Sequence, residues 1–200
     1  AANMSILHSF YCWGQMAVVL LSTLYFTLLG TESWRFLPML WAVLPALNAV
    51  LFSVVPIYPL CEPEEKMSIL TLASSPAFLL FFLLMFCAGA AELAMSQWAS
   101  YFAEQGLMVS KTVGDLLGPC AFAFTMGLSR VLFSKLEKRC DLKTMLAISS
   151  GMCIASYLLA SLSPWSVPAL LGCALCGMSV GLMWPGVTSL AAAKYRRGGG

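Results

Sequence analysis

A single carboxylate, Glu92, lies inside one of the long apolar stretches of this sequence. Residues 67–91 before it contain no Asp, Glu, Lys or Arg. If such a stretch crosses a membrane, an ionised carboxylate in its middle costs about 3 kcal/mol even by low estimates, so it normally faces a protein interior or a wet cavity. We interpret Glu92 as a proton carrier or as the hydrogen-bond partner of a polar solute. The alternative is a structural carboxyl bonded to a Ser or backbone group of a neighbouring helix.

Gln97 and Trp98 follow Glu92 on the same stretch. An amide beside an indole can bind a sugar, because the amide hydrogen-bonds hydroxyl groups and the indole stacks on the apolar face of the ring. Helical spacing places neither residue on the face of Glu92, so they join it only if the helix bends. Trp98 is explained equally well as an interfacial anchor. Asn48 is a further candidate for solute binding, with interhelical hydrogen bonding as its alternative.

The sequence lacks the patterns of common enzyme sites, including Gly-x-Ser-x-Gly, His-Glu-x-x-His and the phosphate-binding loop. Its one His, His8, leaves no second imidazole for a metal site. Most of the eight Cys residues lie in apolar runs, where Cys behaves as a small hydrophobe. We therefore expect no enzymatic activity, no metal and no cofactor. The net charge of only +2 argues against nucleic-acid binding.

The charged residues occur in short clusters, and the stretches between them are long enough to cross a bilayer. Only 10% of the residues are charged, whereas globular domains carry about 25%. A hydrocarbon core of about 30 Å takes about 20 apolar residues of helix. The sequence therefore predicts an all-α integral membrane protein in contact with the lipid bilayer. Turn residues and charges divide it into six spans, at about 9–29, 36–56, 76–102, 113–136, 144–162 and, after residues 163–168, a last one ending near 193.

The basic residues are distributed unevenly between the two sides that six spans define. The side that holds the loops after spans two, four and six has nine of the eleven Lys and Arg residues: Lys66, Arg130, Lys135, Lys138, Arg139, Lys143, Lys194, Arg196 and Arg197. The other side has Arg35 and Lys111. Excess Lys and Arg marks the cytoplasmic side. We expect a multi-pass protein of the plasma (cytoplasmic) membrane, with both ends of this chain in the cytoplasm.

The end of the fourth span and the loop after it read Gly127-Leu-Ser-Arg130-Val-Leu-Phe-Ser-Lys135-Leu-Glu-Lys-Arg139. The Gly-rich helix end, the Arg and the tight basic loop resemble the signature loop of the major facilitator superfamily. The usual loop Gly is missing, and Glu137 stands near the usual Asp. Three further segments, at 7–14, 92–98 and 181–189, are similar to the fucose-permease-like branch of that family, whose members mostly import sugars with protons.

The resemblance implies a twelve-helix fold divided between two bundles, of which this chain covers about helices five to ten. The chain would then be an internal fragment, and the missing remainder of the same chain its partner. Residues 1–61 would end the N-terminal bundle, residues 62–75 would form the central cytoplasmic loop, and residues 76–200 would begin the C-terminal bundle.

The resemblance also assigns roles to residues. Glu92, Gln97 and Trp98 match positions that line the solute path. Arg130, Glu137 and Arg139 match a gating loop whose contacts break and re-form.

From the residues and the resemblance together we expect a secondary active transporter. It would move a small polar solute, expected to be a sugar, by proton-coupled alternating access. Two alternatives stay open: drug or metabolite efflux by the same fold, and a non-transporting membrane scaffold.

Overall fold

The computed structural model describes residues 2–56, 67–136 and 140–195, and within them the chain is almost entirely helical. Ten α-helices occur in this described part: α1 Ala2–Leu29, α2 Phe36–Trp41, α3 Val43–Val54, α4 Ile69–Ala73, α5 Pro76–Tyr101, α6 Lys111–Asp115, α7 Ala121–Leu136, α8 Leu142–Leu162, α9 Ser166–Val180 and α10 Met183–Lys194. Two π-helical turns, Phe102–Gly106 and Leu116–Cys120, extend α5 and join α6 to α7.

These elements form six stretches long and apolar enough to cross a membrane, counted over the described residues: Ile6–Leu29, Phe36–Val54, Pro76–Gly106, Lys111–Lys135, Leu142–Leu162 and Ser166–Lys194. The predicted all-α membrane fold with six spans is confirmed. The predicted boundaries differ from these by three residues at most, except that the third span ends four residues later, at Gly106.

Prolines explain where the spans depart from a regular α-helix. Pro45 has no N–H to donate to the carbonyl of Trp41, four residues earlier. Span two is therefore interrupted at Ala42, between α2 and α3. Pro119 lies inside the π-helical turn of span four. Span six is interrupted between α9 and α10, where Pro185 leaves the carbonyl of Gly181 without its usual amide partner.

Helices α1 and α7 pack against each other in antiparallel directions. The carbonyl of His8 accepts from Arg130, and the Thr23 hydroxyl donates to Asp115, which precedes α7 by one turn. Between them, Trp13 and Phe124 meet edge to face, with their ring centroids 6.1 Å apart. These contacts extend from His8 to Thr23 of α1.

Glycines bring α9 close to its two neighbours. A Cβ on Gly177 would overlap the Phe122 carbonyl of α7, and one on Gly181 would lie 2.8 Å from the Met126 carbonyl. On the other side, a Cβ on Gly172 would lie 2.7 Å from the Ala160 nitrogen of α8. Small residues therefore allow close packing within this chain, as expected for membrane helices.

Span two packs differently from the others. None of its described residues, Phe36–Val54, is buried. The packing of α1 on α7 crosses the predicted boundary between residues 1–61 and 76–200, and residues 62–66 lie outside the described residues. The division into two bundles stays a prediction.

Candidate functional site

Glu92 lies on the buried face of α5, which also carries Ala88, Met95 and Ala99. Its residue surface is only 9% exposed, and its Oε2 lies 3.5 Å from Nη2 of Arg130 on α7. The Tyr11 side chain of α1 also interacts with this carboxylate. The carboxylate therefore faces other helices rather than the surface, as its charge requires.

Arg130 is the centre of the site and is 2% exposed. Its Nη1 donates to the carbonyl of His8 at 2.7 Å, and its Nε donates to the carbonyl of Gly181 at 3.1 Å. Its guanidinium carbon also lies 5.6 Å from the centroid of the Tyr11 ring. One side chain thus joins α1, α5 and the junction between α9 and α10.

The sequence of span six explains one of these contacts. Pro185 cannot donate to the carbonyl of Gly181, so that carbonyl needs another donor. Arg130 supplies it. The helix break and the buried cation are therefore parts of the same arrangement, and we call His8, Glu92, Arg130 and Gly181 the Arg130 cluster.

A buried ion pair of this kind is suited to exchange partners. Two charges taken out of water cost several kcal/mol each, and their attraction offsets this cost only while the geometry is kept. A polar solute or a proton that reaches Glu92 competes directly with Arg130 for the carboxylate. The arrangement can therefore link binding of a solute or proton to the contacts that hold four helices together.

A second charged group, which we call the Asp115 cluster, lies near the start of span four. Asp115 is 9% exposed. Lys111 Nζ donates to its two carboxylate oxygens at 3.0 and 3.3 Å. Thr23 of α1 donates to Oδ2 at 3.3 Å, and Ser100 of α5 donates to Oδ1. The cluster consists of Thr23, Ser100, Lys111 and Asp115.

Sequence reasoning did not single out Asp115, although a signal was present. The residue lies at the start of the predicted fourth span, where a carboxylate on a buried helix face needs a partner. Lys111 stands one helical turn before it, at the spacing of a side-chain pair.

The structure does not bring Gln97, Trp98 or Asn48 to Glu92. Gln97 and Asn48 are exposed. Trp98 is 62% exposed, and its ring meets Tyr101 edge to face at 6.1 Å. Arg130 lies within α7, away from the loop that the resemblance assigns it to, and Glu137 and Arg139 lie outside the described residues.

Gln15 of α1 carries a buried oxygen without a protein partner. Its Oε1 is buried and accepts no hydrogen bond in the described structure. It lies one helical turn after Tyr11, on the same side of α1. Since buried polar atoms are normally satisfied, this oxygen is free to accept from a bound molecule.

An apolar groove lies elsewhere in the described part. It has a volume of about 200 Å³ and is lined mainly by apolar side chains of α7, α8 and α9, among them Leu132, Phe133, Ile148 and Met152. No charged residue lines it, so it offers little to a polar solute. Among the described residues, no three His, Cys, Asp or Glu side chains are grouped so as to hold a metal ion.

Six apolar spans with a buried ion pair between two of them define a polytopic membrane protein. The model of the Major Facilitator Superfamily matches residues 1–199, and the chain belongs to this family. Membership of this family identifies the protein as a secondary transporter of some solute. Comparison with curated proteins and with solved structures gives no match.

Proposed function

We propose that this protein transports a small polar solute, a sugar, by proton-coupled alternating access. The observation that carries the proposal is the buried pair of Glu92 and Arg130, whose nitrogen and oxygen atoms lie 3.5 Å apart. The pair is buried among spans one, three, four and six, and such intramembrane charges mark solute and proton paths.

The polar groups near this pair favour a hydroxyl-bearing solute. Glu92 can accept hydrogen bonds, and Arg130 can donate them. The unpartnered Oε1 of Gln15 supplies a further acceptor. We propose that the exposed side chains of Gln97, Trp98 and Asn48 line the solute path away from Glu92 and contact the solute there.

Proton coupling follows from the chemistry of Glu92. A proton on the carboxylate neutralises it and weakens its attraction to Arg130. The solute can then displace the guanidinium more easily. Binding of a proton and binding of the solute would thus favour each other, as symport requires.

The proposed geometry of transport places residues 1–61 and 76–200 in two bundles, with residues 62–75 in the cytoplasmic loop between them. Arg130, Glu137 and Arg139 would act at the cytoplasmic gate. The protein would lie in the plasma membrane.

Drug or metabolite efflux is the second candidate. The apolar groove of about 200 Å³ between α7, α8 and α9 is the observation that favours it. A scaffold without transport is disfavoured, because a buried ion pair gains no stability over a well-packed apolar core.

Uptake of labelled monosaccharides into proteoliposomes tests the proposal. The full-length protein is reconstituted, and a pH gradient, acidic outside, is imposed. We expect uptake that depends on both the protein and the gradient. Protein-free liposomes, and liposomes in which a protonophore collapses the gradient, are the controls.

Two substitutions then separate the roles of Glu92. Glu92→Gln keeps the volume and hydrogen bonding but cannot titrate, so gradient-driven uptake should be lost while exchange of solute persists. Glu92→Ala should abolish both. If uptake and its dependence on the gradient survive both substitutions unchanged, Glu92 has neither role.

A further inference from the structure

We propose that Asp115 is a positioning residue for transport, which holds α1 against spans three and four at the end of the α1–α7 contact opposite the Arg130 cluster. Asp115 does not touch the solute in this proposal. It acts by closing its own end of the α1 contact independently of the Arg130 end. The inference rests on the proposed alternating access.

The contacts of Asp115 reach three spans. Thr23 belongs to span one, Ser100 to span three and Lys111 to span four, and all three donate to the same carboxylate. Lys111 contacts both carboxylate oxygens, at 3.0 and 3.3 Å. Loss of the negative charge would therefore weaken contacts to all three spans at once.

The two clusters lie at opposite ends of one helix contact. At one end His8 of α1 contacts Arg130 of span four, and at the other end Thr23 of α1 contacts Asp115 of span four. At 1.5 Å per residue the two contacts on α1 are separated by about 22 Å, and the two on α5, Glu92 and Ser100, by about 12 Å. Both clusters also include α5, through Glu92 in one and Ser100 in the other. A tilt of α1 away from its neighbours at one end can thus leave the other end closed.

The local structure suits a contact that opens. Side-chain exposure of Lys111 is 49%, so its ammonium group can move into water once it leaves the carboxylate. The Asp115 end is also where both spans leave α-helical geometry, in the π-helical turns Phe102–Gly106 and Leu116–Cys120. Such turns are common at functional sites.

Thiol labelling at the two ends tests the proposal. Cys12, which is fully buried beside Gly127, reports on the Arg130 end. Val19→Cys, at a half-buried position one turn before Thr23, reports on the Asp115 end. Each reporter is placed in the full-length protein with the remaining cysteines replaced by Ala, and its labelling rate is measured without solute.

Asp115→Asn keeps the shape of the side chain but removes the charge. We expect labelling at position 19 to become about tenfold faster, the ratio that corresponds to about 1.4 kcal/mol. Labelling of Cys12 should become slower or stay unchanged. Lys111→Met, at a half-exposed side chain, should act in the same direction without threatening the fold. The exposed neighbour Thr112→Ala is the matched control and should change neither rate.

The proposal is overturned if Asp115→Asn and Lys111→Met leave the labelling rate at position 19 unchanged. It is also overturned if both reporters become faster together, because a merely structural role loosens the whole contact. The labelling experiment uses no solute, so its result can be interpreted even if sugar uptake is not observed. Likewise, an unchanged labelling rate would not affect the interpretation of the uptake experiment.

Discussion

At the scale of single residues, the account depends on how Arg130 and Glu92 stabilise each other. Arg130 is 2% exposed and Glu92 9% exposed, so neither charge is well hydrated. Removal of one member leaves the other buried without its counter-charge. Breaking a buried pair in this way typically costs about 3–5 kcal/mol.

Arg130→Met should therefore lower the thermal stability of the purified protein strongly, by roughly 6 °C or more at the 2–4 °C per kcal/mol of a domain this size. Glu92→Gln should cost less, because the remaining Arg130 keeps its hydrogen bonds to the carbonyls of His8 and Gly181. The double variant should be more stable than Arg130→Met alone. Thermal unfolding in detergent measures this.

Arg35→Met serves as the control, since Arg35 is exposed and contacts only the exposed ring of Trp34 among its described neighbours. Its unfolding temperature should stay close to that of the unsubstituted protein. A double variant no more stable than Arg130→Met would contradict the pairing.

At the same scale, the sequence predicts one of the two buried carboxylates, Glu92. Arg130 was singled out only by the resemblance, and as a gating residue. Glu92 stands alone in an apolar run, and its burial was predictable from its charge. Its pairing with Arg130 was not, because the two residues meet only after α5 and α7 pack. The role of Gly181 depends on the helix break before Pro185, which no spacing rule connects to Arg130.

At the scale of elements, the close approach of α9 to α7 predicts that replacing Gly177 destabilises the protein. A Cβ on Gly177 would overlap the Phe122 carbonyl, which is backbone and cannot move aside. Overpacking a membrane interior in this way should cost about 3 kcal/mol. Gly177→Ala should therefore lower the unfolding temperature by several degrees.

Gly151 of α8 is the matched control, since a Cβ there meets nothing within 4 Å. Gly151→Ala should leave the unfolding temperature unchanged or raise it slightly, because Ala favours helix over Gly. Equal effects of the two substitutions would show that α7 and α9 do not pack closely through Gly177.

Charge-free runs predict the six spans well, since the bilayer sets a minimum length for each. The interruptions in spans two and six follow from prolines visible in the sequence. The π-helical turn Leu116–Cys120 contains Pro119, whereas the turn Phe102–Gly106 contains no proline and could not be predicted.

At the scale of the whole molecule, the uneven distribution of basic residues predicts the orientation in the membrane. Cys140 is exposed and lies in the loop between spans four and five. In a variant that keeps only this cysteine, an impermeant thiol reagent should label it after permeabilisation of the cells and not before. Ready labelling in intact cells would reverse the orientation.

The packing of span two could not be predicted from the sequence. Its apolar residues show that it crosses the membrane but not which helices it meets, and none of its described residues is buried here. Span one, equally apolar, instead packs along α7 through specific polar contacts at both ends. Hydropathy places a helix in the membrane, whereas only side-chain complementarity selects its neighbours.

The most direct test of the central claim is solute counterflow across proteoliposomes that contain the full-length protein. The vesicles are loaded with an unlabelled monosaccharide and diluted into a trace of the labelled one. A carrier that alternates access should accumulate the label transiently above its outside concentration, and Glu92→Gln should retain this exchange while losing gradient-driven uptake. A label that never exceeds its outside concentration, for every monosaccharide tested, would contradict sugar transport by this protein.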